Sequence, residues 1–228
     1  MDQALTQAEV TINCWNEYKK TREYLSGAIM AIPAHHPIIE KREEYGLRKI
    51  YEKVVKKTMH NIKNRTIGQW LDEWKHLDDL LFWSILKNRG NWRKKEVRIG
   101  DPWDEHMKLA ESKDIPRKVQ ELANEINFLT NQNYQTRDDI YLVLAQVHHK
   151  FVMIHPFDDG NGRIARAITD QIALFFGFPT AIVGYPRHNK PQQQRYHKAI
   201  HDCAESGSFQ PLANWIKSYV EERLKTLA

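Results

Sequence analysis

An all-α chain is what the sequence predicts, and three observations carry that expectation. Apolar residues recur at three- and four-residue spacing through one segment after another. Capping residues, prolines and glycines sit at the ends of those segments. Only one stretch, residues 91–100, departs clearly from the helical period. At 228 residues, 41% hydrophobic and 28% charged, the chain is long enough for one substantial core and too short for two large ones. One domain over residues 66–228 is expected, with residues 1–65 as a helical extension packed on it, and no internal repeat is visible.

In chain order, Leu5, Ile12, Trp15 and Tyr18 predict a helix over residues 3–25 that stops at Gly27. Two prolines make the Ala31–Pro37 stretch a connector; its His35 and His36 lack a partner at metal-ligand spacing and read as surface residues. Leu47, Ile50, Val54 and Val55 predict a second amphipathic helix over residues 38–62, and its lysine-rich tail reads as a solvated face. Thr66 can cap a third, with Trp70, Trp74, Leu77 and Leu81 inward and an end by Gly90. Residues 91–100 alternate Trp92, Val97 and Ile99 with charges, which suits a short extended segment.

Val119, Leu122, Ile126 and Leu129 define a helix from Pro116 to Gln132. Thr136 or Asp138 caps the next, whose run Ile140–Ile154 is apolar enough to be buried on most sides. His148 and His149 lie on it about a quarter-turn apart, which suits structural roles better than one metal-ligand face with His155. Ile164, Ile168, Ile172 and Phe175 continue the helical period up to Gly177. A polar loop, residues 186–191, precedes another helix, and Leu212, Trp215, Ile216, Tyr219 and Val220 point inward from a closing helix over residues 211–227.

Chemistry concentrates in the twelve residues His155-Pro-Phe-Asp-Asp-Gly-Asn-Gly-Arg-Ile-Ala-Arg166. Pro156 cannot continue a helix and restricts His155 to an extended backbone, so the imidazole is presented on a loop. Gly160 and Gly162 admit positive φ and close approach, and Asn161 tolerates a left-handed turn, which is how a chain exposes consecutive N–H groups. Those groups open a helix whose positive dipole end welcomes an anion. Arg163 and Arg166 lie on neighbouring parts of one helix surface and could reach the same polyanion. Asp159 is a hard oxygen ligand of the kind that holds Mg²⁺ beside phosphates. Phe157 is expected to anchor the loop in the core. Together these residues describe a polyphosphate site with a base at its edge.

This string resembles, at every specified position, the signature of the Fic family, His-Pro-Phe-x-(Asp/Glu)-Gly-Asn-Gly-Arg-x-x-Arg. The resemblance implies a helical Fic core with a small β-hairpin and, for most members, transfer of AMP from ATP to a hydroxyl of a target protein. It further implies His155 as the base, Asp159 with Mg²⁺, Asn161 and Arg163 at the α- and β-phosphates, and Arg166 at the γ-phosphate. Residues 91–100 occupy the place of the Fic flap, so Val97, Arg98 and Ile99 would lie along the target's backbone by strand addition. Tyr196, on a helix resembling the one near the nucleotide base, is a candidate base contact or a packing residue. Many relatives carry or borrow a helix marked Ser/Thr-x-x-x-Glu-Gly/Asn that misplaces the γ-phosphate. Ser218 and Glu222 have that spacing, but Arg223 replaces the small residue, so a separate inhibitory protein is the more attractive expectation.

Composition bounds the alternatives. The net charge of +5, from 34 basic and 29 acidic residues, is spread through the chain and reads as a solvated surface rather than a nucleic-acid footprint. Two cysteines without metal spacing suit a reducing compartment, and no apolar run reaches membrane-spanning length. The N-terminus lacks a secretory signal, so a cytoplasmic protein, or one delivered to another cell's cytosol as an effector, is expected. Two other readings compete with AMP transfer: a Fic fold passing a γ-phosphate or phosphocholine, and a non-catalytic interaction module that keeps the motif as a relic. The intact Gly-Asn-Gly and both arginines weigh against the first, and the complete set of reactive groups against the second.

Overall fold

A computed structural model describes residues 38–97, 107–178 and 190–227. The helix expected over 3–25 and the connector with His35 and His36 lie outside the described residues. Among those described, seven α-helices run in the order α1 (Ile38–Asn61), α2 (Ile67–Leu81), α3 (Ile115–Thr130), α4 (Arg137–Ile154), α5 (Asn161–Phe175), α6 (Lys190–Ser206) and α7 (Gln210–Leu227).

Local signals set the boundaries. Thr66 starts α2 with a capping box: its hydroxyl accepts the Gln69 N–H at 3.2 Å while the Gln69 side chain accepts the Thr66 N–H at 2.8 Å. Thr136, rather than Asp138, does the same for α4, paired with Asp139. The chain leaves α2 at Leu81 and buries Phe82, Ile85 and Leu86 in the turns that follow. Asp78 closes those turns by accepting the Gly90 N–H at 2.7 Å.

Packing follows the apolar stripes. The helix α4 is the hub, contacting α3, α5 and α7, while α5 is sandwiched between α4 and the pair α1 and α2. Trp70, Trp74, Leu77 and Leu81 of α2 are fully buried, and Trp74 meets Phe151 of α4 edge-on at 5.4 Å. Each such side chain contributes about 1.5–3 kcal/mol by leaving water. Gly46 permits the tight crossing of α1 over α2, because a Cβ there would strike the backbone of Leu80 and Leu81.

None of the described residues forms a β-strand. Residues 91–97 are irregular, and Arg98 and Ile99 of the expected flap lie outside the described residues. No described helix is long and apolar enough to cross a membrane.

Candidate active site

The end of α4 builds the first wall of the site. His155 terminates α4 in the left-handed region, φ 48° and ψ 59°, with its N–H still bonded to the Phe151 carbonyl at 3.0 Å. This corrects the extended backbone expected before Pro156: the preference of a pre-proline residue is overridden by a helix cap and by contacts from a distant segment. The imidazole Nδ1 lies 3.2 Å from the Val152 carbonyl, which can only accept. Nδ1 therefore carries the hydrogen, and Nε2 presents its lone pair. The ring is only partly exposed, and that enclosure, aided by the Arg93 cation and opposed by the Val152 contact and Asp159, lowers its pKa to about 4.

Residues 88–93 buttress this wall. The Asn88 side-chain amide donates to Asp158 at 2.9 Å, and the Trp92 ring lies 5.0 Å from Phe157. Phe157 is fully buried, as its role as an anchor requires. Arg93, 1% exposed, donates from Nε to the His155 carbonyl at 2.7 Å and from its backbone N–H to the Pro156 carbonyl at 2.8 Å.

The second wall is the start of α5. Gly160 is its N-cap at φ 76°, and a Cβ there would sit 2.6 Å from Phe82 Cε2, so both conformation and space call for glycine. Gly162 and Asn161 are helical rather than left-handed. Asn161 spends its side chain locally, its oxygen accepting the Phe157 N–H at 2.8 Å and its nitrogen donating to the Phe157 carbonyl at 2.9 Å. At the start of α5 the Gly160 N–H is taken by Asp159 and the Arg163 N–H by the Gly160 carbonyl at 2.9 Å, which leaves the Asn161 and Gly162 N–H groups as the ones a helix start offers to an anion.

Arg163 is 2% exposed, and its Nη2 lies 3.1 Å from Asp159 Oδ2, its Nη1 3.5 Å from Glu43 Oε2, and its guanidinium 4.8 Å from the Phe82 ring centroid. Glu43 belongs to α1 and is fully buried. Sequence reasoning missed it, because within an amphipathic pattern it looks like every other glutamate on α1. Arg166 is also buried, and a Cβ on Gly162 would lie 3.5 Å from its Nη1, an ordinary contact. Asp159 accepts the Gly160 N–H at 2.6 Å and keeps 24% of its side chain exposed.

Tyr196 lies away from open space. It is 3% exposed, and its hydroxyl is 2.7 Å from His148 Nε2. His148 Nδ1 is 3.1 Å from the Thr169 hydroxyl, which donates to the Ala165 carbonyl at 2.7 Å. Thr169 must then accept from Nδ1, and the Tyr196 hydroxyl donates to Nε2. Burial, helped by Arg166, lowers the His148 pKa to about 3, so the ring is neutral and structural. Val97 is half-buried at the end of the described stretch 91–97. Ser218 is exposed on α7, a helix that packs chiefly on α4 and α6, and the Glu222 side chain lies outside the described residues.

A helical bundle that sets one histidine against the N-terminus of the next helix, across a five-residue loop, is the architecture of a Fic domain. The chain belongs to the Fic/DOC family, whose sequence profile matches residues 47–173. It is 29% identical over 107 residues to protein adenylyltransferase fic-1 of Caenorhabditis briggsae, covering 47% of this chain and 20% of that protein. It is 32% identical over 135 residues to protein adenylyltransferase Fic of Drosophila grimshawi, covering 59% and 25%. The chain thus spans a quarter or less of the length of these relatives.

Solved structures share the fold. A Fic domain containing signaling protein from Bacteroides thetaiotaomicron superposes with a TM-score of 0.69 at 16% identity, covering 98% of this chain and 94% of that one. An N-terminal Fic domain of a Bartonella quintana effector with bound ADP gives 0.62 at 14% identity, covering 87% and 93%.

Proposed function

We propose that this protein is an adenylyltransferase that moves AMP from ATP to a hydroxyl side chain of a target protein and releases pyrophosphate. One observation carries the reading: the His155 Nε2 lone pair is presented at the end of α4, one short loop from the anion-attracting first turn of α5.

The lowered pKa keeps His155 unprotonated at neutral pH, so the lone pair is available. The target hydroxyl oxygen attacks the α-phosphorus and its proton passes to Nε2. The bond from that phosphorus to the bridging oxygen breaks, and pyrophosphate leaves. The N–H groups of the first turn of α5 face the charge that develops on the α-phosphate and the leaving group. Arg163 is so deeply paired that its part is to hold Asp159 and the turn in place, and Arg166 serves the outer phosphates. Asp159 fits Mg²⁺: it is a partly exposed carboxylate whose oxygens each have one partner and a further lone pair. When bound, the ion would neutralise charge shared by the α- and β-phosphates.

The partners are then a target protein bearing Ser, Thr or Tyr, docked along the flap that carries Val97, Arg98 and Ile99, and a separate inhibitory protein in place of the Ser218–Glu222 helix. Tyr196 supports the site from within the core. The relatives named adenylyltransferases support this chemistry, and the ADP-bound Bartonella domain supports a nucleotide ligand.

Incubation with Mg²⁺ and ATP labelled at either the α- or the γ-phosphate tests the reading. Protein labelled from the α position is the expected result. Label from the γ position would replace it with phosphoryl transfer, and no label from either, in the presence of a cell lysate as target source, would overturn it.

A further inference from the structure

Arg93 makes a pattern of contacts that core packing does not require. Its side chain is shielded from water, yet its three nitrogens reach three carbonyls from three separate stretches: Nε to His155 at 2.7 Å, Nη1 to Lys95 at 2.7 Å and Nη2 to Ala110 at 2.6 Å. Its own N–H takes the Pro156 carbonyl. Glu96 extends the clasp outward. One of its oxygens lies 3.5 Å from Arg93 Nη1, and the other accepts the Ser112 N–H at 2.8 Å and the Ser112 hydroxyl at 2.6 Å. The Ala110 N–H completes it by donating to the Met153 carbonyl at 3.0 Å.

Two consequences follow from this geometry. The Lys95 and Ala110 carbonyls both accept from one guanidinium. The same guanidinium fixes the carbonyl of the only residue of the catalytic loop that has a Cβ and a positive φ. A left-handed residue with a Cβ is strained, and a following proline favours the extended region instead. Released from Arg93, His155 would relax toward that region and swing its ring. A lysine cannot substitute, since one ammonium lacks the planar fork that meets three carbonyls at once.

We propose that Arg93 is the positioning residue of the reaction, holding the His155 backbone in its left-handed conformation. The proposal rests on the AMP-transfer reading with His155 as base, and its function is orientation rather than contact with substrate. Misplacing a reacting group by about 1 Å costs on the order of 100-fold in rate, which sets the scale of the effect.

The test uses Arg93→Lys and Glu96→Ala in the full chain, the second loosening the clasp from its exposed end should the first fail to fold. Three readouts are needed: turnover with α-labelled ATP, the Kd of a non-hydrolysable ATP analogue, and the ¹⁵N imidazole signals of His155. Arg93→Lys should lower kcat by about 10- to 100-fold, leave the analogue's Kd within about twofold and shift the His155 signals away from the pure Nδ1–H form. Glu96→Ala should move those signals the same way by less. Unchanged His155 signals and wild-type kcat in a folded variant would overturn the proposal, as would a loss confined to analogue binding. If the wild type transfers no AMP, the functional reading fails by itself, while the imidazole signals still decide whether Arg93 positions His155.

Discussion

The two walls of the site hold their backbone and side chains in opposite ways. At the end of α4 the backbone is clamped, with the His155 and Pro156 carbonyls both held by Arg93, and the imidazole presents a lone pair. At the start of α5 the side chains are clamped, Asn161 onto Phe157 and Arg163 between Asp159 and Glu43, and the Asn161 and Gly162 N–H groups are those the helix start leaves for an anion. On the AMP-transfer reading, the first wall fixes backbone so that the His155 ring is placed, and the second fixes the Asn161 and Arg163 side chains so that the turn is placed. Removing a side chain should therefore damage rate on the first wall and stability on the second.

The largest expected effect tests the first half of that contrast. His155→Ala should lower turnover by about 10²- to 10⁴-fold, the range for loss of a general base, while its melting temperature stays close to wild type. Comparable loss of stability would mean that the ring is packing rather than chemistry. On the second wall, Glu43→Ala leaves the buried Arg163 cation without its α1 partner and should destabilise the fold by about 3–5 kcal/mol in chemical denaturation. A change below about 1 kcal/mol would show that Asp159 alone suffices for Arg163. Asn161→Ala opens the ring onto Phe157 and strands a buried N–H and carbonyl, so a loss of about 2–3 kcal/mol is expected by the same measurement.

The smallest effect is a dependence on pH. His148 and His155 have folded pKa values of about 3 and about 4 against an ordinary 6.5, so the unfolded chain binds their protons first. Stability from each is present above pH 6.5 and falls as pH drops toward those folded values, by on the order of 1–2 kcal/mol per histidine at pH 5. Asp78 acts in the opposite sense. Burial raises its carboxyl pKa well above the ordinary value, so its contribution diminishes as pH rises through that raised value. Unfolding free energies at pH 7 and pH 5, in wild type and Asp78→Asn, separate the two. The acid loss should be larger in the variant, and equal losses would exclude Asp78 as the opposing group.

The same contrast explains what could be read from the sequence. The second wall's turn closes over five residues, from Phe157 to Asn161, so a local string of Gly, Asn and Asp specifies it. The helices were legible for a related reason: Thr66 and Thr136 sit one turn from their capping partners, and apolar spacing marks the buried faces. The supports of both walls were not legible. Arg93 acts on a residue 62 positions away and stands beside Lys94 and Lys95, which are exposed and chemically alike in sequence. Glu43 reaches Arg163 from another helix and is indistinguishable there from a solvated glutamate. The conformation of His155 was misjudged because a pre-proline preference is a local rule, and the contacts that override it come from elsewhere in the chain. The burial of Tyr196 is not legible either, since its hydroxyl meets His148 from 48 positions away.

A crystal of the protein with Mg²⁺ and a non-hydrolysable ATP analogue would show whether His155 and the start of α5 share one nucleotide. The triphosphate should lie against the first turn of α5, with the α-phosphate facing His155 Nε2 across a space that admits one hydroxyl. An analogue bound away from that turn, or an imidazole turned into the core with Nε2 covered, would contradict that arrangement.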